Sequence, residues 1–191
     1  MALPATDDFN RADASTLGTN WTLSKNTWGI DTNRAKPTAV DNCRAFWNAD
    51  TFGNDQYSQA KVVSATNYFG VVVRCSGSGG TENNYHWVAG TGFTGINKVI
   101  NGSETQLQAL DALSTDNDVI RLEVSGTTLQ AYRNGSTYGT SVTDSAVASG
   151  SAGLFGFAAV TPFLDDWEGG NLGGGAATTR PAYHFALLGV Q

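Results

Sequence analysis

Residues 118–142 read DVIRLEVSGTTLQAYRNGSTYGTSV, and this stretch constrains the fold more than any other. Ile120, Leu122 and Val124 alternate with Arg121 and Glu123, the period of two that belongs to a strand with one buried face. Ser125-Gly126 and Asn134-Gly135 then supply tight turns at the spacing that folds successive strands back on one another. A helix cannot use this pattern, because apolar residues at every second position would be scattered around its circumference. The stretch therefore predicts a β-meander, and whatever it belongs to must offer its apolar face a second layer.

The rest of the chain repeats the theme. YFGVVVRCSG (68–77) is β-branched and ends in the loop SGSGGTEN, and NYHWVAG (84–90) and NKVINGSETQLQAL (97–110) add strands, the latter around an Asn101-Gly102 turn. WGIDTNRAKP and CRAFWNADTFGNDQYSQAKVV read as two strands with polar loops, and Tyr57, Gln59, Lys61 and Val63 suggest an outer strand exposed on one face. GSAGLFGFAAV and FLDDWEGGNL read as the last two. ETQLQALDAL also fits a helix through Leu107, Leu110 and Leu113, and is read here as strand. Turns recurring about every 8–12 residues fit a sandwich or barrel. The 23 glycines and a charged fraction of only 15% favour the same all-β class over helices.

The 191 residues suit one domain with an appendage. The domain is expected to span residues 1–172. Gly173 to Thr179 then has the composition of a flexible linker, and residues 173–191 form a linker and an apolar C-terminal arm carrying Tyr183, Phe185, Leu187, Leu188 and Val190. Left in water such an arm invites aggregation. It is expected to dock on a partner protein or another subunit, with a lid over its own sandwich as the alternative.

A net charge of −6 disfavours nucleic acid and anionic lipid as partners. The opening MALPATDDFNR shows no secretory pattern, and no window reaches the roughly 20 apolar residues of a membrane span. Cys43 and Cys75 lack the close pairing of a thiolate metal site, and two buried, reduced thiols are expected rather than a bridge.

The segments DDFNRADASTLGTNWT, GVVVR, VIRLEVSGTTLQAYRNGSTYGTSVTDS, GSAGLFGF and LDDWEGGNL together resemble concanavalin A-like lectin/glucanase domains, especially the laminin G-like jelly rolls of phage structural proteins and extracellular bacterial proteins. The resemblance covers residues 7–172. It implies two antiparallel sheets packed face to face, one of them curved with a concave side that often receives sugar, and first and last strands side by side. Phe9, Leu17 and Trp21 would then close the core against Leu164 and Trp167. This fold hosts lectins, hydrolases, adhesion modules and decorations alike, so it does not choose among them.

The E-x-D-x-x-E strand of laminarinase-like relatives is missing, and Glu82, Glu104, Glu123 and Glu168 are scattered. No G-x-S-x-G elbow accompanies His86 or His184. Gly90, Gly92 and Gly95 match a dinucleotide fingerprint but lead into a strand, so they are read as a loop. No enzymatic role is expected, and no cofactor. If the terminal strands pair, Asp7, Asp8, Asp165 and Asp166 would approach one another as weak calcium candidates, although solvated turn residues are the simpler reading.

Sugar recognition needs an aromatic face beside amide or carboxylate groups. ENNYHWVAG offers both, with Tyr85 and Trp87 on one parity and Asn84 and His86 on the other. The outward set is the candidate site, unless Trp87 is simply core. Trp47, Asn48 and Asp50 form a second candidate. The expectation is a non-enzymatic lectin-like module on a larger assembly, a phage virion by the resemblance, attached through the arm, with homo-oligomerisation around it and cell-surface glycan as ligand. The alternative is a free carbohydrate-binding protein or glycan hydrolase. Virion or extracellular localisation goes with either.

Overall fold

A computed structural model describes residues 3–65, 68–90, 94–113, 115–157 and 163–173. The five apolar arm residues, Tyr183, Phe185, Leu187, Leu188 and Val190, lie outside this set. Fifteen strands account for the regular structure: β1 (Ala5–Asp7), β2 (Trp21–Lys25), β3 (Trp28–Ile30), β4 (Ala35–Pro37), β5 (Asn42–Trp47), β6 (Gln56–Ser64), β7 (Tyr68–Ser76), β8 (Asn83–Gly90), β9 (Gly95–Ile100), β10 (Ser103–Ala109), β11 (Val119–Ser125), β12 (Thr128–Arg133), β13 (Ser136–Thr143), β14 (Ser151–Phe157) and β15 (Phe163–Asn171). No helix occurs among the described residues, so none there is long and apolar enough to cross a membrane.

The strands form two antiparallel sheets. One runs β13-β12-β11-β6-β15-β4-β3, with β1 also paired to β15, and the other runs β10-β9-β8-β7-β14-β5-β2. The meander is present as expected: Ile120, Leu122 and Val124 are fully buried, and Asn134 and Gly135 both take positive φ, as the turn between β12 and β13 requires. First and last strands pair, Ala5 opposite Gly169 and Asp7 opposite Trp167. ETQLQALDAL supplies β10, because its pairing with β9 satisfies the backbone along its length. Tyr57, Gln59, Lys61 and Val63 do share one face, but β6 is interior to its sheet, between β11 and β15.

The core lies between the sheets. Phe9, Leu17, Trp21, Leu164 and Trp167 are all buried in it, as expected. Trp21 and Trp167 rings are centred 4.7 Å apart, and the Trp167 indole donates to Ser58 Oγ at 2.9 Å. Both cysteines are free and buried, Cys43 in the central core and Cys75 in a smaller cluster with Val72, Val88 and Phe155 on the other side of the same sheet. Opposite faces keep them apart.

Candidate functional site

Strand β8 decides where the site is. Tyr85, Trp87 and Ala89 point into the core, so Asn84, His86 and Val88 point to the outer face of the seven-stranded sheet. The outward set is therefore the polar one. Tyr85 and Trp87 are corrected from ligand candidates to core: neither exposes any surface, Trp87 packs 5.5 Å from the Tyr138 ring, and the Tyr85 hydroxyl donates to Asp144 Oδ1 at 2.6 Å. Their large apolar area is better sheltered between two layers than on one.

The second candidate falls for the same reason. Trp47 is buried between Trp21 and Trp167, at 5.5 and 5.3 Å, and its indole donates to Asp50 Oδ2 at 2.9 Å. Asp50 thus caps a core indole. Asn48 is exposed and donates to Thr22 Oγ1. No accessible aromatic remains in that trio.

The acidic pairs are likewise used internally. Asp7 accepts from Arg11 through both carboxylate oxygens, from the Trp21 indole at 2.8 Å and from the Phe9 amide. Asp8 accepts from the Asn10 amide, Asp165 from the Asp166 amide, and Asp166 faces Lys61 at 3.9 Å. Among the described residues no group of three or more His, Cys, Asp or Glu side chains could hold a metal ion.

The outer face of the seven-stranded sheet carries a different assembly. Phe155 on β14 stands opposite Gly70 on β7. The Phe155 ring lies across β7 and stacks on His86, with centroids 4.7 Å apart and planes 16° from parallel. The Arg44 guanidinium from β5 sits 5.4 Å from the same ring. Glu104 from β10 meets Arg44 Nη2 at 2.5 Å and His86 Nε2 at 3.2 Å, and accepts from Asn42 Nδ2 at 3.2 Å.

That ion pair measures the curvature. Between β10 and β5 lie β9, β8, β7 and β14. Five interstrand steps of about 4.8 Å would separate their backbones by about 24 Å in a flat sheet, further than a Glu and an Arg reach together. The sheet is therefore bent so that its outer face is concave, and these side chains converge over its floor.

The protonation of His86 follows from its surroundings. Burial and then the nearby Arg44 charge push its pKa down to about 4, against the opposing pull of Glu104. A neutral ring has one N–H, which belongs on Nε2 facing the Glu104 carboxylate. Nδ1 is then an acceptor, and Asn84 Oδ1 stands 2.9 Å from it, so a neutral ring requires that amide to rotate and present its NH2. Burial alone would raise the Glu104 pKa, but the His86 hydrogen bond and the Arg44 guanidinium outweigh it and hold the carboxyl at about 2.

Beside this network is a small pocket of about 140 Å³ lined by Asn42, Tyr68, Val88, Glu104, Phe155 and Phe157. Tyr68 and Phe157 form an edge-to-face pair at 5.7 Å and are only half-buried. Arg44 Nε and Asn97 Oδ1 are buried on the same face without a hydrogen-bond partner, as is one atom of the Asn84 amide. Buried polar groups are seldom left so. The pocket itself joins an aromatic wall to the polar side chains of Asn42 and Glu104.

Asn84 and His86 were foreseen as one of two alternatives. Arg44, Glu104, Asn42, Asn97, Tyr68, Phe155 and Phe157 were not. The missing information was the strand order, which no local pattern encodes.

No protein-family model matches the chain, and no curated protein sequence does. Solved structures do match. The carbohydrate-binding module CBM66 from Bacillus subtilis superposes with a TM-score of 0.63 at 14% identity, covering 80% of this chain and 98% of that one. A structure described with endo-acting O-glycanases of the human gut microbiota that initiate mucin breakdown gives 0.58 at 13%, covering 88% and 99%. The Caenorhabditis elegans galectin LEC-6 gives 0.50 at 12%, covering 80% and 96%. The chain has the concanavalin A-like, lectin-type jelly-roll fold that its motifs resemble.

Proposed function

We propose that this chain is a non-catalytic carbohydrate-binding module that takes saccharide on the concave face of its seven-stranded sheet. The observation that carries the reading is the pocket in which the aromatic side chains of Tyr68, Phe155 and Phe157 stand beside the polar side chains of Asn42 and Glu104. A sugar ring has both chemistries, apolar C–H faces for the rings and hydroxyls for the polar atoms. Structural similarity to a carbohydrate-binding module and a galectin supports the same reading.

Hydrolysis is disfavoured by the carboxylates. Glycosidases commonly need two that flank the bond about 5–9.5 Å apart, one of them protonated. The pocket is lined by Glu104 alone, and that group is ionised and bound by Arg44, His86 and Asn42.

Glycan-array binding followed by calorimetry tests the reading. Tyr68→Ala, Phe157→Ala and Asn42→Ala should each weaken binding about tenfold or more while leaving the fold intact. No binding to any glycan, or binding indifferent to all three changes, would refute it.

Display on a larger assembly, such as a virion, through residues 173–191 is the further part of the proposal. Its support is the Gly-rich linker and the apolar residues Tyr183, Phe185, Leu187, Leu188 and Val190. A chain ending at Leu172 should keep glycan binding and lose assembly, as read by native mass. Unchanged assembly would overturn that part.

A further inference from the structure

Resting on the concave-face reading, we propose that the site selects uncharged saccharides and rejects carboxylated or sulfated ones, and that Glu104 sets this choice. The charged side chains on and around the concave face come in balanced pairs. Arg44 faces Glu104 at 2.5 Å, and Lys25, beside Arg44 on the neighbouring strand, faces Asp41 at 3.5 Å. One carboxylate is left over: Glu82, buried at the end of β8, where it accepts from the Gly80 amide. An arriving anion meets two cations already neutralised and a third negative charge.

Arg44 cannot simply change partners. Its side chain is 2% exposed, while Glu104 is 27% exposed. A ligand carboxylate that took the guanidinium would leave Glu104 in the same concavity, an unpaired anion beside a like charge. His86 cannot compensate, because it is neutral and its one N–H already serves Glu104.

The pocket's own hydrogen-bonding groups point the same way. Glu104, which lines it, is an acceptor that a sugar hydroxyl can donate to and that a carboxylate or sulfate cannot. Hydrogen bonding and charge balance therefore exclude the same ligands.

The test uses the full chain on an array that carries neutral galactosides, glucosides, mannosides and fructosides beside the same chains capped with sialate, glucuronate or sulfate. The wild type should bind neutral members and lose about tenfold or more on capping. Glu104→Gln keeps an oxygen for Arg44 but removes the negative charge, and should shift the capped-to-neutral ratio toward capped ligands by about tenfold. The double change Glu104→Gln with Arg44→Gln should lose that gain, since the cation relieved of its counter-charge is what the anion uses. Thermal melting confirms that the variants are folded, and should either variant be unfolded, the wild-type ratio alone decides. Wild-type binding of capped chains at parity or better, or a ratio unmoved in a folded Glu104→Gln, overturns the proposal while leaving carbohydrate binding standing. Failure of every glycan, capped or not, removes both readings together.

Discussion

His86 and Phe155 stack at 4.7 Å although β7 runs between their strands. The residue of β7 opposite Phe155 is Gly70, so only backbone lies under the phenyl ring there. The ring supports the imidazole from one side and lies beneath the Arg44 guanidinium. An aromatic plate thereby forms the floor on which an ion pair from distant strands can settle. The concave site is a packing structure first, and its polar groups are positioned by that packing.

The two halves of the Arg44–Glu104 pair should not be equivalent to removal. Glu104→Ala strands a buried guanidinium, whereas Arg44→Met leaves a carboxylate that is partly in water and still bound to His86 and Asn42. Breaking a buried pair by deleting one partner costs about 3–5 kcal/mol, and the upper part of that range belongs to Glu104→Ala. Arg44→Met, which keeps an apolar stem on Phe155, should cost about 1–2 kcal/mol. Urea unfolding at neutral pH checks the order, and equal losses would contradict it.

Trp87→Ala and Trp47→Ala should behave as core deletions. Each removes an indole from between the sheets, so each is expected to lower unfolding free energy by about 3–5 kcal/mol. Glycan binding measured on the fraction that remains folded should be unchanged, because neither side chain reaches the concave face. A folded, stable Trp87→Ala protein that has lost binding would restore the aromatic reading of β8.

These two tryptophans mark where sequence reasoning stopped. The alternation in residues 118–142 and the Asn-Gly turns determined element type, and the terminal motifs placed Trp21 beside Trp167. Parity along NYHWV separated Tyr85 and Trp87 from Asn84 and His86, but parity does not tell inside from outside. That depends on which face the other sheet covers. Arg44 and Glu104 lie 60 residues apart. Their meeting depends on strand order and on curvature across the whole sheet, quantities that arise only when all seven strands have assembled.

Acidification should destabilise the fold through the same network. The unfolded chain protonates His86 near 6.5, while in the folded chain that ring stays neutral down to about 4. Between those values the unfolded state holds more protons, so stability is full above about 6.5 and falls as pH drops toward 4. Glu104 continues the trend: its stabilisation is present above the ordinary value of 4.5 and is lost as pH falls through about 2. His86→Gln removes the first of these titrations. Urea midpoints at pH 7, 6, 5 and 4 should decline less steeply in that variant, and identical slopes would show that His86 is not the responsible group.

Gly70 offers the most economical check on the architecture of the floor. A β-carbon at this position would lie 1.8 Å from the Trp87 carbonyl oxygen and 3.5 Å from the Phe155 ring. The first atom is backbone of the adjacent strand and cannot turn aside, so β7 and β8 must part. Gly126 is the useful comparison: it has φ of +57° but nothing within 4 Å of a built β-carbon. Gly126→Ala should cost about 1 kcal/mol from its backbone conformation alone. Gly70→Ala should cost about 3 kcal/mol or more by overpacking, and any folded molecules should bind glycan weakly because the His86–Phe155 stack is disturbed. If urea unfolding ranks the two alike, β7 and β8 do not approach as closely at Gly70 as the 1.8 Å clash requires.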